Sequence, residues 1–191
     1  PASRSAARQA SVRRRRRAAV EWVLSVVVAW GAALALRAWV VQAFYIPSRS
    51  MVPTLEVGDR ILVDKLSYDL HSVHRGDIVV FRRPPADVVD PNIQDLVKRV
   101  IGLPGDRISS SVTGQVLIDG KPIPQPWLPP GTAPGPAIRP QVVPSGDYFV
   151  MGDNRGDSED SRFFGPISGK LIVGRVVARI WPVGRIHLFG W

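Results

Sequence analysis

The sequence predicts a mainly β domain behind a single apolar helix. An almost unbroken apolar stretch begins at Val20, and after about residue 45 the patterning changes from helical to alternating. Short β-branched runs then recur between Gly, Pro and Asp turns. Most of the 18 prolines fall between Pro84 and Pro144, where they disfavour helices and favour extended loops. At 191 residues there is room for one anchor and one domain.

Residues 1–17 hold Arg, Ala and Ser, end in the run Arg13 to Arg17, and carry no acid. Such a segment cannot bury enough apolar surface to order itself, so a disordered basic arm is expected. Seven arginines of the arm account for most of the formal +9 charge, and +2 remains for residues 18–191. The folded body is therefore not basic, which argues against a nucleic-acid groove.

Residues 18–44 read as a transmembrane anchor. From Trp22 to Leu36 there is no charge, and beyond Arg37 the apolar character resumes through Trp39, Val40, Val41, Phe44 and Tyr45. A span needs about 20 apolar residues to cross ~30 Å of hydrocarbon, and Arg37 can snorkel. A cleaved signal peptide shares the basic-then-apolar pattern. Against it, the stretch is long, and Arg37, Trp39 and Gln42 do not form a small-residue cleavage site. The arginine block predicts a cytoplasmic N-terminus, a single pass through the cell membrane and an extracytoplasmic domain at 45–191.

Strands are expected at Arg60 to Lys65, Asp77 to Phe81, Leu96 to Ile101, Val116 to Ile118, Asp147 to Met151 and Leu171 to Ile180. Residues 110–145 read as a smaller, looser Pro-rich subdomain. The tail from Arg179 to Trp191 is too short to span and reads as a closing strand near the lipid interface.

There is no cysteine, which excludes disulfides, thiol catalysis and cysteine-based zinc sites together. With three histidines only, a serine nucleophile would have few imidazole bases to choose from.

Three segments carry chemistry. In Ile46-Pro47-Ser48-Arg49-Ser50-Met51-Val52-Pro53-Thr54-Leu55 the prolines favour an extended, rigid backbone. Two serines two residues apart would then share one side, one to attack a carbonyl and one to donate a hydrogen bond beside it. A Ser- and Pro-rich linker explains the same residues. In Leu96-Val97-Lys98-Arg99-Val100-Ile101-Gly102, alternation puts Lys98 with Leu96 and Val100, and Arg99 with Val97 and Ile101. A desolvated lysine there becomes a neutral amine able to accept a proton, whereas an edge-strand lysine would reach water. Met151 to Gly165 mixes three Asp, one Glu and two Arg with Ser and Asn between apolar strands. Arg155 stands where a calcium loop needs an oxygen ligand, which leaves a solvated acidic turn or a hydrogen-bonded positioning network.

Taken in order, these segments resemble the type I signal peptidases. Ser48 to Leu55 looks like the nucleophile box, Gly58 to Lys65 like the strand box after it, Lys98 to Asp106 like the general-base box, and residues 152–165 like the closing box. Gly156-Asp157 stands where that family more often has Asp-Asn. The resemblance implies a signal-peptidase-type β-rich protease domain and a membrane-bound serine endopeptidase that cuts preprotein signal peptides after small residues. By matching positions it implies Ser50 as nucleophile, Lys98 as general base and Ser48 as side-chain oxyanion donor. It likewise implies that Ser158 orients the lysine, that Asp160 and Arg162 brace the site, and that Gly152 allows close packing. Preprotein signal peptides and membrane lipid are the implied partners; no metal or cofactor is implied.

Overall fold

The computed structural model describes residues 20–32, 40–87 and 93–190. The chain divides into two units, Pro1–Val40 and Val41–Trp191. In the first, residues 20–32 form helix α1, whose Trp22, Val23, Leu24, Val27, Val28 and Trp30 are exposed. Among the described residues no helix is long and apolar enough to cross a membrane. Residues 1–17 and the stretch with Arg37 and Trp39 lie outside the described residues, as does Trp191.

The second unit is mainly β and antiparallel. Its larger sheet holds β1 (Val41–Tyr45), β2 (Arg60–Asp64), β3 (Ile78–Arg82), β4 (Asp95–Gly102), β9 (Asp147–Met151), β10 (Ile167–Ser168), β11 (Ile172–Trp181) and β12 (His187–Leu188). The path across it is β1-β2-β11-β3-β4-β9-β10, with β12 paired to β11. A second sheet, in the order β7-β6-β5-β8, holds β5 (Arg107–Ser110), β6 (Val116–Ile118), β7 (Lys121–Pro122) and β8 (Gln141–Val142). Among the described residues this unit also holds two four-residue α-helices, α2 (Ser67–Leu70) and α3 (Ser161–Phe164), and two short 3-10 turns.

The six runs expected as strands are strands. Both faces of β3 are buried, and its side chains alternate between them: Ile78 and Val80 join one cluster with Ile46, Met51, Leu55, Ile61, Val63 and Val176, while Val79 and Phe81 join another with Val100, Val150 and Ile167. Each such side chain contributes about 1.5–3 kcal/mol on burial. In β4, Leu96 and Val100 follow Phe81, and Val97 follows Ile46, so the expected alternation holds.

The anchor boundary needs correcting. Residues 41–44 belong to β1, paired with β2 in the register Val41↔Asp64 to Tyr45↔Arg60, and not to an apolar span. Phe44 packs on the Ile46 cluster, which makes a β-branched and aromatic run as serviceable in a strand as in a helix. The Pro-rich subdomain is also more ordered than expected. Its sheet starts at Arg107 and has a core of Ile108, Val116, Ile118, Ile138 and Val143, closed by Ile101, Phe149 and Met151 of the larger sheet.

This order positions the chemistry. β4, the lysine strand, lies between β3 and β9, and β9 runs directly into the polar segment after Met151. The serine segment leaves β1 and is tied back by buried Ile46, Met51 and Leu55.

Candidate active site

The serine segment folds as consecutive turns and is not extended. Val52 N–H donates to the Arg49 carbonyl (3.1 Å) and Leu55 N–H to the Met51 carbonyl (2.9 Å). The reason lies in Met51 and Leu55, four residues apart and fully buried, which reach one core only if the backbone turns between them. The serines still converge: Ser48 Oγ and Ser50 Oγ lie 3.3 Å apart, within hydrogen-bonding reach.

Lys98 is 4% exposed. It stands opposite Val79 on an internal strand, so the edge-strand reading does not apply. Burial pushes its ammonium down from 10.5 to about 8, against the pull of Asp160, Asp87 and Glu159 and with a further push from Arg162.

Asp160 has no exposure and is fully satisfied. Its Oδ2 accepts from Ser158 Oγ (2.8 Å), Gly152 N–H (2.9 Å) and Arg162 Nη2 (2.7 Å), and its Oδ1 from Arg162 Nε (2.8 Å). The carboxylate thereby fixes Ser158, the end of β9 and Arg162 at once, with the two-point guanidinium geometry that gives the strongest such pairs. Next to it Ser161 Oγ accepts from Val150 N–H at 2.9 Å, which joins α3 to β9. Gly152 is packed so closely that a Cβ would overlap Ser158 Oγ and the Ser50 carbonyl oxygen.

Ser48, Ser50, Lys98 and Ser158 line one cavity of about 460 Å³, whose apolar walls include Tyr45, Leu96, Val97 and Phe163. Asp160 and Arg162 stand behind it, joined to it through Ser158. His74 and His187 line a separate cavity of about 490 Å³, and none of the three histidines lines the serine cavity. A hydroxyl, a partly neutral amine and a second hydroxyl lining one cavity can attack an acyl carbon, move a proton and donate to an oxyanion.

A second network was not singled out from the sequence. Arg99 grips Asp153 at two points, Nε to Oδ1 (2.9 Å) and Nη2 to Oδ2 (2.7 Å), and Thr54 Oγ1 donates to Asp153 Oδ2 (2.6 Å). Asn154 N–H donates to the Ser50 carbonyl (3.0 Å), and Asn154 Nδ2 to that of Arg49 (3.1 Å). The serine turn is thus clamped to the residue after Lys98 and to the polar segment. The alternation of β4 pointed to Arg99 facing away from Lys98; its partners, 54 residues on and 45 back, left no local signal.

A family model described as signal peptidase, peptidase S26, matches residues 19–181. The chain is 43% identical over 173 residues to a signal peptidase I of Leptolyngbya laminosa, covering 87% of this chain and 80% of that one. It is 39% identical over 173 residues to a signal peptidase I of Bacillus caldolyticus, covering 84% and 88%. A crystal structure of a signal peptidase I from Enterococcus faecalis aligns with 55% of this chain and 97% of its own, at 28% identity and a TM-score of 0.45.

Proposed function

The chain belongs to the signal peptidase family, peptidase S26, and from that premise we propose a type I signal peptidase working through Ser50 and Lys98. It is a serine endopeptidase acting on the signal peptides of preproteins. The observation that carries the residue assignment is the enclosure of Ser50 together with a lysine whose ammonium burial has brought to about 8.

Neutral Lys98 takes the Ser50 proton as Oγ attacks the carbonyl carbon ending the signal peptide. The carbonyl π electrons move to oxygen, and the oxyanion accepts from Ser48 Oγ–H and the Ser50 backbone N–H. When the intermediate collapses, the C–N bond breaks and Lys98 protonates the leaving amine, which becomes the N-terminus of the mature protein. Water then gives a proton to Lys98 and attacks the ester; collapse releases the signal peptide and returns the proton to Ser50. Ser158, held by Asp160, orients the lysine, and Arg162 fixes Asp160. Membership of the family implies small side chains before the cut, as in an Ala-x-Ala site, and the apolar residues of the cavity would receive them.

The apolar stretch from Val20 to Val40 is read as the anchor, with the arginine arm cytoplasmic, the catalytic domain outside and the enzyme seated on membrane lipid. A protease added outside sealed cells would then degrade the domain and leave the arm; the reverse pattern would invert the topology.

The test of the function is cleavage of a precursor carrying an Ala-x-Ala site, in detergent, by the wild type and by Ser50→Ala and Lys98→Met. Cleavage after the second Ala by the wild type alone supports the reading. Folded variants that cut as well as the wild type would overturn the assignment of Ser50 and Lys98, and a folded wild type that does not cut would favour a tethered adaptor whose boxes persist as structure.

A further inference from the structure

The Pro-rich segment between β7 and β8 lies outside all four motif boxes, yet three of its residues touch the arginines that brace the site. The segment is anchored: Ile123 and Trp127 pack on the core of the second sheet, and Ile138, itself buried, donates its N–H to Ser110 Oγ at 3.1 Å. From this base Trp127 lays its ring under Arg99, with the guanidinium carbon 4.8 Å from the ring centroid. Gln125 Oε1 accepts from Arg155 Nη2. Arg155 in turn donates from Nε to the Gly152 carbonyl (3.1 Å), and its own carbonyl accepts from Arg162 Nη1 (2.8 Å). Gly135, at φ +66°, fits against that carbonyl and that Nη1 so closely that any Cβ would occupy the space of both.

We propose that Gln125, Trp127 and Gly135 form a strut from the second sheet that positions the bracing arginines, and through them Ser50 and Lys98. The two arms of the site meet on it. One runs from Trp127 through Arg99 to Asp153, Thr54 and the serine turn; the other runs from Gln125 and Gly135 through Arg155 and Arg162 to Asp160 and Ser158. The choice of indole supports this. Trp127 Nε1 is buried with no acceptor among the described residues, a cost that phenylalanine would not carry. What indole offers over other rings is the strongest attraction for a guanidinium over its face. These are positioning residues, and none of them touches the reacting atoms.

The inference rests on the assignment of Ser50 and Lys98, and the experiment separates the two. Steady-state cleavage of an Ala-x-Ala precursor by the full chain in detergent is compared for wild type, Ser50→Ala, Trp127→Leu, Trp127→Phe and Gln125→Ala. Trp127→Leu should lower kcat about tenfold at unchanged KM, and Trp127→Phe should restore most of it, since a π face returns without the unmatched N–H. Gln125→Ala, a milder change, should lower kcat severalfold and serves where Trp127→Leu does not fold. If kcat is unchanged in Gln125→Ala and in a folded Trp127→Leu, or if Trp127→Phe loses as much as Trp127→Leu, the strut is refuted while the site assignment stands. If Ser50→Ala cleaves like the wild type, the site assignment falls, and the strut with it.

Discussion

A Cβ placed on Gly152 would fall on the hydroxyl oxygen of Ser158. The same Cβ would meet the carbonyl oxygen of Ser50, so the serine segment and the polar segment converge where only a hydrogen fits. Gly152→Ala should therefore destabilise the fold by about 1–3 kcal/mol, the usual cost of overpacking, and remove nearly all cleavage. Urea denaturation and a precursor assay read both effects. Wild-type activity in this variant would mean that the spacing of Ser50 and Ser158 does not matter.

Asp160 and Arg162 form an ion pair with side-chain exposures of 0% and 1%. Asp160→Asn leaves a guanidinium buried without its counter-charge, and a loss of about 3–5 kcal/mol follows. The same change removes the largest influence holding the Lys98 ammonium up, so any residual activity should extend to lower pH. A loss below about 1 kcal/mol in denaturant titration would contradict the pair's burial.

Thr54 ties the serine turn to Asp153 through one short hydrogen bond to a charged group. Thr54→Val keeps the shape and removes the donor, with an expected cost of about 1.5–3 kcal/mol. Because Arg99 still holds Asp153 at two points, the fold should survive and the deficit should appear in kcat. An unchanged kcat would detach the clamp from the chemistry.

Lys98 is buried as an ammonium against its preference. Its folded value of about 8 lies below its ordinary 10.5, so between the two the unfolded chain binds more protons than the folded one. Stability from this group is therefore lowest below about pH 8 and rises with pH across that window, by roughly 3 kcal/mol at most. Lys98→Met should accordingly raise the Tm at pH 7 while abolishing cleavage. A Tm below that of the wild type would show the lysine to be well accommodated in its charged form.

Much of this architecture was legible in the sequence because its signals are local. The alternation of Ile78 to Phe81 and of Leu96 to Ile101 is read directly in burial on two faces. Ser48, Ser50, Lys98 and Ser158 sit in motif segments, and they line one cavity. Less legible was whatever depended on distant partners. The turns of the serine segment follow from Met51 and Leu55 seeking a common core, which the flanking prolines did not reveal. Residues 41–44 carry side chains suited to either a span or a strand, and pairing with β2 decides between them. Arg99 meets Asp153 and Trp127, and Gln125 meets Arg155, across long separations, so no spacing in the sequence marks these pairs.

The central claim is that Lys98 acts as a neutral amine on Ser50, and the pH dependence of kcat/KM between pH 6 and 10 tests it most directly. The account predicts a single ionisation near the folded value of about 8, with the rate falling about tenfold per unit below it and levelling above. A profile flat across that range, or one that falls as pH rises through 8, would contradict it.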